Sequence, residues 1–258
     1  MVSLLCATGF TGCVSRQLVS LDNRYERTRL PVHFDRTDDA DVPHVSVSVG
    51  AREKKTMAYT DSGGGRSALR NAAYSVDGAF LTESWNHHFG LNVGASPADH
   101  GLLRLGAFWG YSARMSPALV ASFAGGIFMN NNLNNGEYIQ TECALFIFCD
   151  SEQKFDEGLE PHMEIPLRAN LLLETKARIS PFVGYSVNLI GVGMDGTEKT
   201  LGLHEVSAGA QLEVARGSAL QVEGSASQTQ LLGRGEIQEG NTATGTLLGL
   251  RVAYVKSL

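Results

Sequence analysis

The 258-residue chain has no run of 18 or more mostly apolar residues, and its longest uncharged stretch, 115–136, contains Pro117 and five Asn. A membrane-spanning helix is therefore excluded. Positive charge is scarce: 21 Lys and Arg stand against 27 Asp and Glu, a net charge of -6. A dedicated nucleic-acid binder is normally basic, so that class of partner is excluded. Four Cys are too few for a disulfide scaffold. Nucleophile elbow, phosphate-binding loop, metal-binding helix and zinc spacing are all missing. No cofactor is expected. Charged residues make up only 19% and hydrophobic ones 43%, a balance that argues for a folded chain.

Glycine is abundant, with 29 residues, about 11% against an average of about 7%. From His44 onward, apolar residues alternate with small or polar ones. Val45, Val47, Val49 and Ala51 share one face, as do Phe89, Leu91, Val93 and Ala95. Leu103, Leu105, Ala107, Trp109 and Tyr111 repeat the pattern, and so do Leu167, Ala169 and Leu171 and the closing Leu248, Leu250, Val252 and Tyr254. A helix does not sustain a period of two. Ten strands are predicted, at 44–52, 74–85, 88–96, 102–113, 118–129, 161–174, 179–192, 201–214, 219–230 and 244–256; eight remains an alternative count. Most have the 9–11 residues a tilted strand needs to cross a bilayer.

Connections after the second, fourth, sixth and eighth predicted strands are short. The others, at 53–73, 97–101, 130–160, 193–200 and 231–243, are mostly longer. In an up-and-down barrel, alternate connections share a rim, so short turns and long loops segregate to opposite ends. The face opposite the apolar stripes carries Arg52, Asp77, Arg104, Glu164, Arg168, Glu205, Gln211, Glu223 and Arg251, which are expected to line the lumen as a charge network. Small inward residues such as Gly90, Gly94, Gly106 and Gly110 fit either a water-filled cavity or tight strand contacts.

Residues 43–258 resemble a small bacterial outer-membrane β-barrel of the OmpA/OmpW-like or porin-like type. The resemblance rests on Ile179-Ser180-Pro181-Phe182-Val183-Gly184-Tyr185, on 206–213 and on the closing strand up to Leu258. It implies an all-β, antiparallel, up-and-down transmembrane barrel in the outer membrane of a Gram-negative-type bacterium. Outer-membrane lipid would surround it, and an extracellular partner or a small polar solute would be its ligand. A monomer is favoured. Residues 1–12 read as a signal segment. Phe10-Thr11-Gly12-Cys13 resembles a bacterial lipobox, which implies lipidation at Cys13. Residues 13–42 are expected to form the anchor and an irregular periplasmic tether.

Cys143 and Cys149 flank five apolar residues in the long loop 130–160. In an oxidising compartment this pair predicts a disulfide. His162, His204, Asp195 and Glu198, with Asp61, Ser62 and Asp99, fall near the long-loop rim, where an outer-membrane enzyme would place its catalytic groups. The expected function is a structural or interaction role presenting extracellular loops. The alternatives are a small channel for polar solutes and a lipid- or peptide-modifying enzyme.

Overall fold

The computed structural model describes residues 3–5, 13–25, 28–31, 43–53, 56–60, 66–84, 86–96, 102–144, 148–175, 177–194, 197–232 and 247–258. Among these, fourteen strands and no helix occur: β1 (Ser3–Leu5), β2 (Cys13–Tyr25), β3 (His44–Arg52), β4 (Thr56–Thr60), β5 (Arg66–Asn71), β6 (Tyr74–Ser84), β7 (His87–Ser96), β8 (Leu102–Ser116), β9 (Leu119–Ala144), β10 (Phe148–Leu173), β11 (Ile179–Met194), β12 (Thr197–Ala215), β13 (Ser218–Leu232) and β14 (Leu247–Ser257). Ten of them, β3 and β6 to β14, pair antiparallel with their neighbours. The cylinder closes where β14 pairs with β3, Val252 facing Val49 and Ser257 facing His44. Closure leaves no unpaired barrel edge, which a sheet in hydrocarbon requires.

Short turns gather at one rim. Two of them use the left-handed region, Asn86 at φ 65° and Gly217 at φ 69°. The carboxy-terminal Leu258 N–H donates to Pro43 O at the same rim, 2.9 Å away, so β3 starts where the chain ends.

The outward face is apolar and exposed. Leu91, Leu105, Ile127, Val183, Val206 and Leu248 are each more than half exposed, while Asp77, Arg104, Glu164, Arg168, Glu205, Glu223 and Arg251 are at most 3% exposed. Alternation therefore sorts side chains in the opposite sense to a soluble barrel. The apolar stripes meet the surroundings, and the ionic residues meet each other.

Two stretches depart from the sequence expectation. Of residues 130–160, expected as a loop, 130–144 and 148–160 are instead the outer halves of β9 and β10, each 26 residues long. They pair continuously from Met163↔Met129 to Phe148↔Ala144. At about 3.4 Å per residue the hairpin runs roughly 48 Å along the strands beyond the last β8 pairing, Arg104↔Asn130. Asn130, Leu133 and Gln140 are buried, but no sustained apolar alternation marks it. Backbone pairing and polar cross-strand contacts hold it, such as Thr141 Oγ1 with Ser151 Oγ at 2.9 Å and Gln153 Nε2 donating to Glu137.

Residues 13–25, expected as irregular, form β2. It adds to the free edge of the hairpin, from Cys13↔Cys143 to Arg24↔Leu133, and β5 and β4 extend the sheet. Cys13 thus lies at the outer end of the hairpin, not at the short-turn rim where an anchor on the β3 side was expected. Residues 1, 2 and 6–12 lie outside the described residues.

Cys143 and Cys149 are disulfide-bonded across the hairpin tip, as their spacing predicts. Replacing both with Ser is expected to cost about 2 kcal/mol of local stability. Hydrogen exchange should then quicken at 139–154 and stay unchanged at 165–173. Equal protection in both proteins would show that the strand pairing needs no staple.

Candidate functional site

The lumen is layered. Near the long-loop rim the inward residues are apolar and buried: Leu102, Ile190, Leu203 and Leu247. Near the short-turn rim Val120, Leu172 and Phe182 pack together. Between them lies an ionic layer. Arg104 pairs with Asp77. Arg168 Nη2 donates to Glu223 Oε1 at 2.5 Å, and Arg251 Nη1 lies 3.7 Å from Glu223 Oε2. Arg168 Nε donates to Asn170 Oδ1 at 2.8 Å, and Asn170 passes the chain of bonds on to Ser122 Oγ at 3.2 Å. Gln211 stands apart, accepting from Gln221 Nε2 at 2.9 Å. Arg52, at the outer end of β3, is half-buried.

Small inward residues make room for large ones. A Cβ on Gly94 would meet Asp77 Oδ1 at 2.6 Å, beside the Arg104 guanidinium. One on Gly90 would lie 2.6 Å from Phe80 O and collide with the Phe108 ring. At these positions glycine serves close approach to a neighbouring side chain, not an empty cavity.

The lumen also holds a piece of the chain that belongs to no strand. β2 ends at the long-loop rim and β3 begins at the short-turn rim, and of the residues between them 28–31 lie inside the barrel. All four are buried. Glu164, fully buried on β10, is the principal holder. It accepts from Thr28 N–H at 2.8 and 2.9 Å, from Thr28 Oγ1 at 2.6 Å, and from Asn130 Nδ2 and Asn188 Nδ2 at 2.5 Å each. Asn188 Nδ2 also donates to Thr28 O at 2.7 Å. Arg29 Nη2 lies 3.4 Å from Glu205 Oε2 and donates to Ser225 Oγ at 3.0 Å. Leu30 O accepts from Arg168 and Arg251, at 3.4 Å each. Its side chain is packed with Ala79, Leu81, Phe108, Ala124 and Phe128.

No protein-family model matches this chain, and no curated protein matches it. Among solved structures it is similar in fold to the outer membrane protease OmpT from Escherichia coli, at 10% identity and a TM-score of 0.43, over 84% of this chain and 97% of that one. It is also similar to the translocator domain of autotransporter NalP from Neisseria meningitidis, at 11% identity and a TM-score of 0.41, over 86% of this chain and 90% of that one. A third is the KdgM porin, at 8% identity and a TM-score of 0.38, over 83% and 99%.

The chain is an outer-membrane β-barrel. A closed antiparallel cylinder with an apolar outside, a polar middle inside and short turns at one rim is the form that spans an outer membrane. Lipid is therefore its surrounding partner.

The rim residues considered for catalysis do not assemble among the described residues. His162 faces inward. His204 faces outward, where its Nδ1 lies 2.7 Å from the Tyr185 hydroxyl on the exposed side of the wall. Asp61, Ser62, Asp99 and Asp195 lie outside the described residues, as does the side chain of Glu198. His87 and His88 sit on opposite faces: His87 stacks on Trp109 with ring centroids 5.7 Å apart, and His88 is buried in the lumen. No group of metal ligands occurs among the described residues.

Thr28, Arg29, Leu30, Asn130 and Asn188 are the site residues that the sequence did not point to. Charge counting was blind to them. The four predicted inward Arg and the four predicted inward carboxylates already balance without Arg29, so no surplus charge announced a further partner.

Proposed function

We propose that this protein is a small outer-membrane channel for polar solutes, held closed by its own segment 28–31. The observation that carries this reading is the nature of the attachment. The segment contributes to no strand of the wall, and among the described residues it is held by hydrogen bonds, one long ion pair and a packed Leu. Withdrawing it leaves a wall whose own pairs, Arg104 with Asp77 and Arg168 and Arg251 with Glu223, remain complete. A lining of this kind replaces the hydration of a passing polar solute. A barrel that serves only as an anchor has no need of a separable centre.

The test is planar-bilayer conductance of the purified full-length chain beside Arg29→Glu/Leu30→Asp. The first substitution faces Glu205, and the second puts a carboxylate among the apolar residues around Leu30. Wild type should be mostly closed, and the variant should conduct at least tenfold more of the time. A folded variant that conducts no more than an empty bilayer would rule out a channel.

A second reading, an interaction platform, draws on the projecting sheet, in which β9 and β10 carry β2, β5 and β4 beyond the membrane. It separates from the first by experiment. Replacing 134–156 with a short turn should abolish surface binding to a partner and leave conductance as it was.

A further inference from the structure

Three features of the lumen seat recognise different parts of one short peptide. Around Thr28, the Glu164 carboxylate takes a backbone N–H and a side-chain hydroxyl together, while Asn188 returns a donor to the carbonyl. Around Arg29, Glu205 and Ser225 form a site for a guanidinium. Around Leu30, the rings of Phe108 and Phe128 enclose an aliphatic side chain, and two guanidinium groups reach the backbone oxygen. These contacts read main chain and side chains in alternation, as a peptide-binding site does.

We infer that the lumen is a binding site for an extended peptide of hydroxyl, cationic and aliphatic residues in that order, and that segment 28–30 is its tethered occupant. This rests on the reading of 28–31 as a separable closure. It adds that the seat accepts the same chemistry from a free chain.

Two observations support exchange. The pairs of Arg104 with Asp77 and of Arg168 and Arg251 with Glu223 involve no atom of the segment, so vacating the seat leaves them whole. Arg29 is itself poorly served: its Nε and Nη1 are buried with no hydrogen-bond partner among the described residues. A buried donor left unmade favours an occupant that places its cation better. The tether opposes exchange, because an attached segment competes at an effective concentration on the order of mM. A free peptide therefore binds visibly only when the tethered copy is weakened.

The experiment uses the full-length chain in detergent micelles, with the wall unaltered. Its own segment carries Thr28→Ala, Arg29→Glu and Leu30→Asp. The probe is a fluorescently labelled peptide with the sequence of residues 26–32, read by anisotropy. Saturable binding of one peptide per chain is expected, at least thirtyfold tighter than to wild type. A labelled peptide bearing the same three substitutions should not bind, and adding Glu164→Gln to the wall should weaken binding at least tenfold. If the triple variant loses its heat-modifiable migration, Arg29→Ala alone takes its place under the same criteria. Equal binding of both peptides, or no binding to a folded variant, overturns the inference. Conductance is read separately: a peptide that binds to a barrel that never conducts removes the channel and keeps the binding site.

Discussion

Glu164→Ala is expected to lower the stability of the folded barrel by about 3 kcal/mol and to release the lumen segment. The carboxylate accepts from Thr28 N–H, Thr28 Oγ1 and the side-chain amides of Asn130 and Asn188, all in a site closed to solvent. Removing it strands these donors at once, and each buried donor left unmade costs about 1–3 kcal/mol. The sum is reduced because wild type bears the cost of desolvating a carboxylate and because water reaches part of the vacated space. Glu164→Gln should fall between the two, since it keeps one acceptor oxygen and brings an N–H₂ toward amides that also donate. Urea unfolding in lipid vesicles gives the stability, and limited proteolysis within 26–42 gives the release. A Glu164→Ala barrel that is as stable and as protease-resistant as wild type would show that the segment is held by something other than this hub.

Leu91→Arg is expected to destabilise the folded barrel in vesicles by about 2–4 kcal/mol, with Leu91→Ala costing clearly less. Leu91 lies at the middle of β7, opposite Phe80 and Ala107, and is 59% exposed. On a soluble protein an exposed Leu exchanges for Arg almost without cost. In hydrocarbon the guanidinium must be dragged to the interface or hydrated within the bilayer. Trp109, on the same outward face, reports folding by fluorescence. A cost below about 0.5 kcal/mol would place this belt in water and remove the membrane assignment.

Most of the barrel was legible because lipid imposes a strict rule on each strand. Where one face meets hydrocarbon and the other meets the lumen, side chains must alternate, and predicted and observed strands agree closely. His44–Arg52 coincides with the predicted 44–52, and Tyr74–Ser84 differs from 74–85 by one residue. Asp77, Arg104, Glu164, Arg168, Glu205, Glu223 and Arg251 are buried in the lumen, while Arg52 is half-buried. The disulfide followed from two nearby Cys in an exported chain.

Legibility stopped where that rule stopped. In 130–144 and 148–160 no sustained apolar period occurs, and a run such as Asn130 to Asn135 carries none, yet backbone pairing makes these stretches strand. Residues 13–25 join the sheet only because the hairpin offers them an edge. The lumen segment 28–31 was invisible for a different reason. Thr28, Arg29 and Leu30 differ in chemistry because each meets a different wall, and four residues show no periodicity.

Closure of β14 on β3 fixed the count at ten and put the charged face inside, whereas the amino-acid order alone marked where most barrel strands run, which side chains share one face of a strand and where the short turns lie. The latter follow from local alternation, which any stretch of chain expresses alone. Only the tertiary structure decided what fills the cylinder. That depends on which residues, more than a hundred positions apart, meet across the lumen, as Thr28 meets Glu164, and no local pattern encodes a meeting between a strand and a segment that pairs with none.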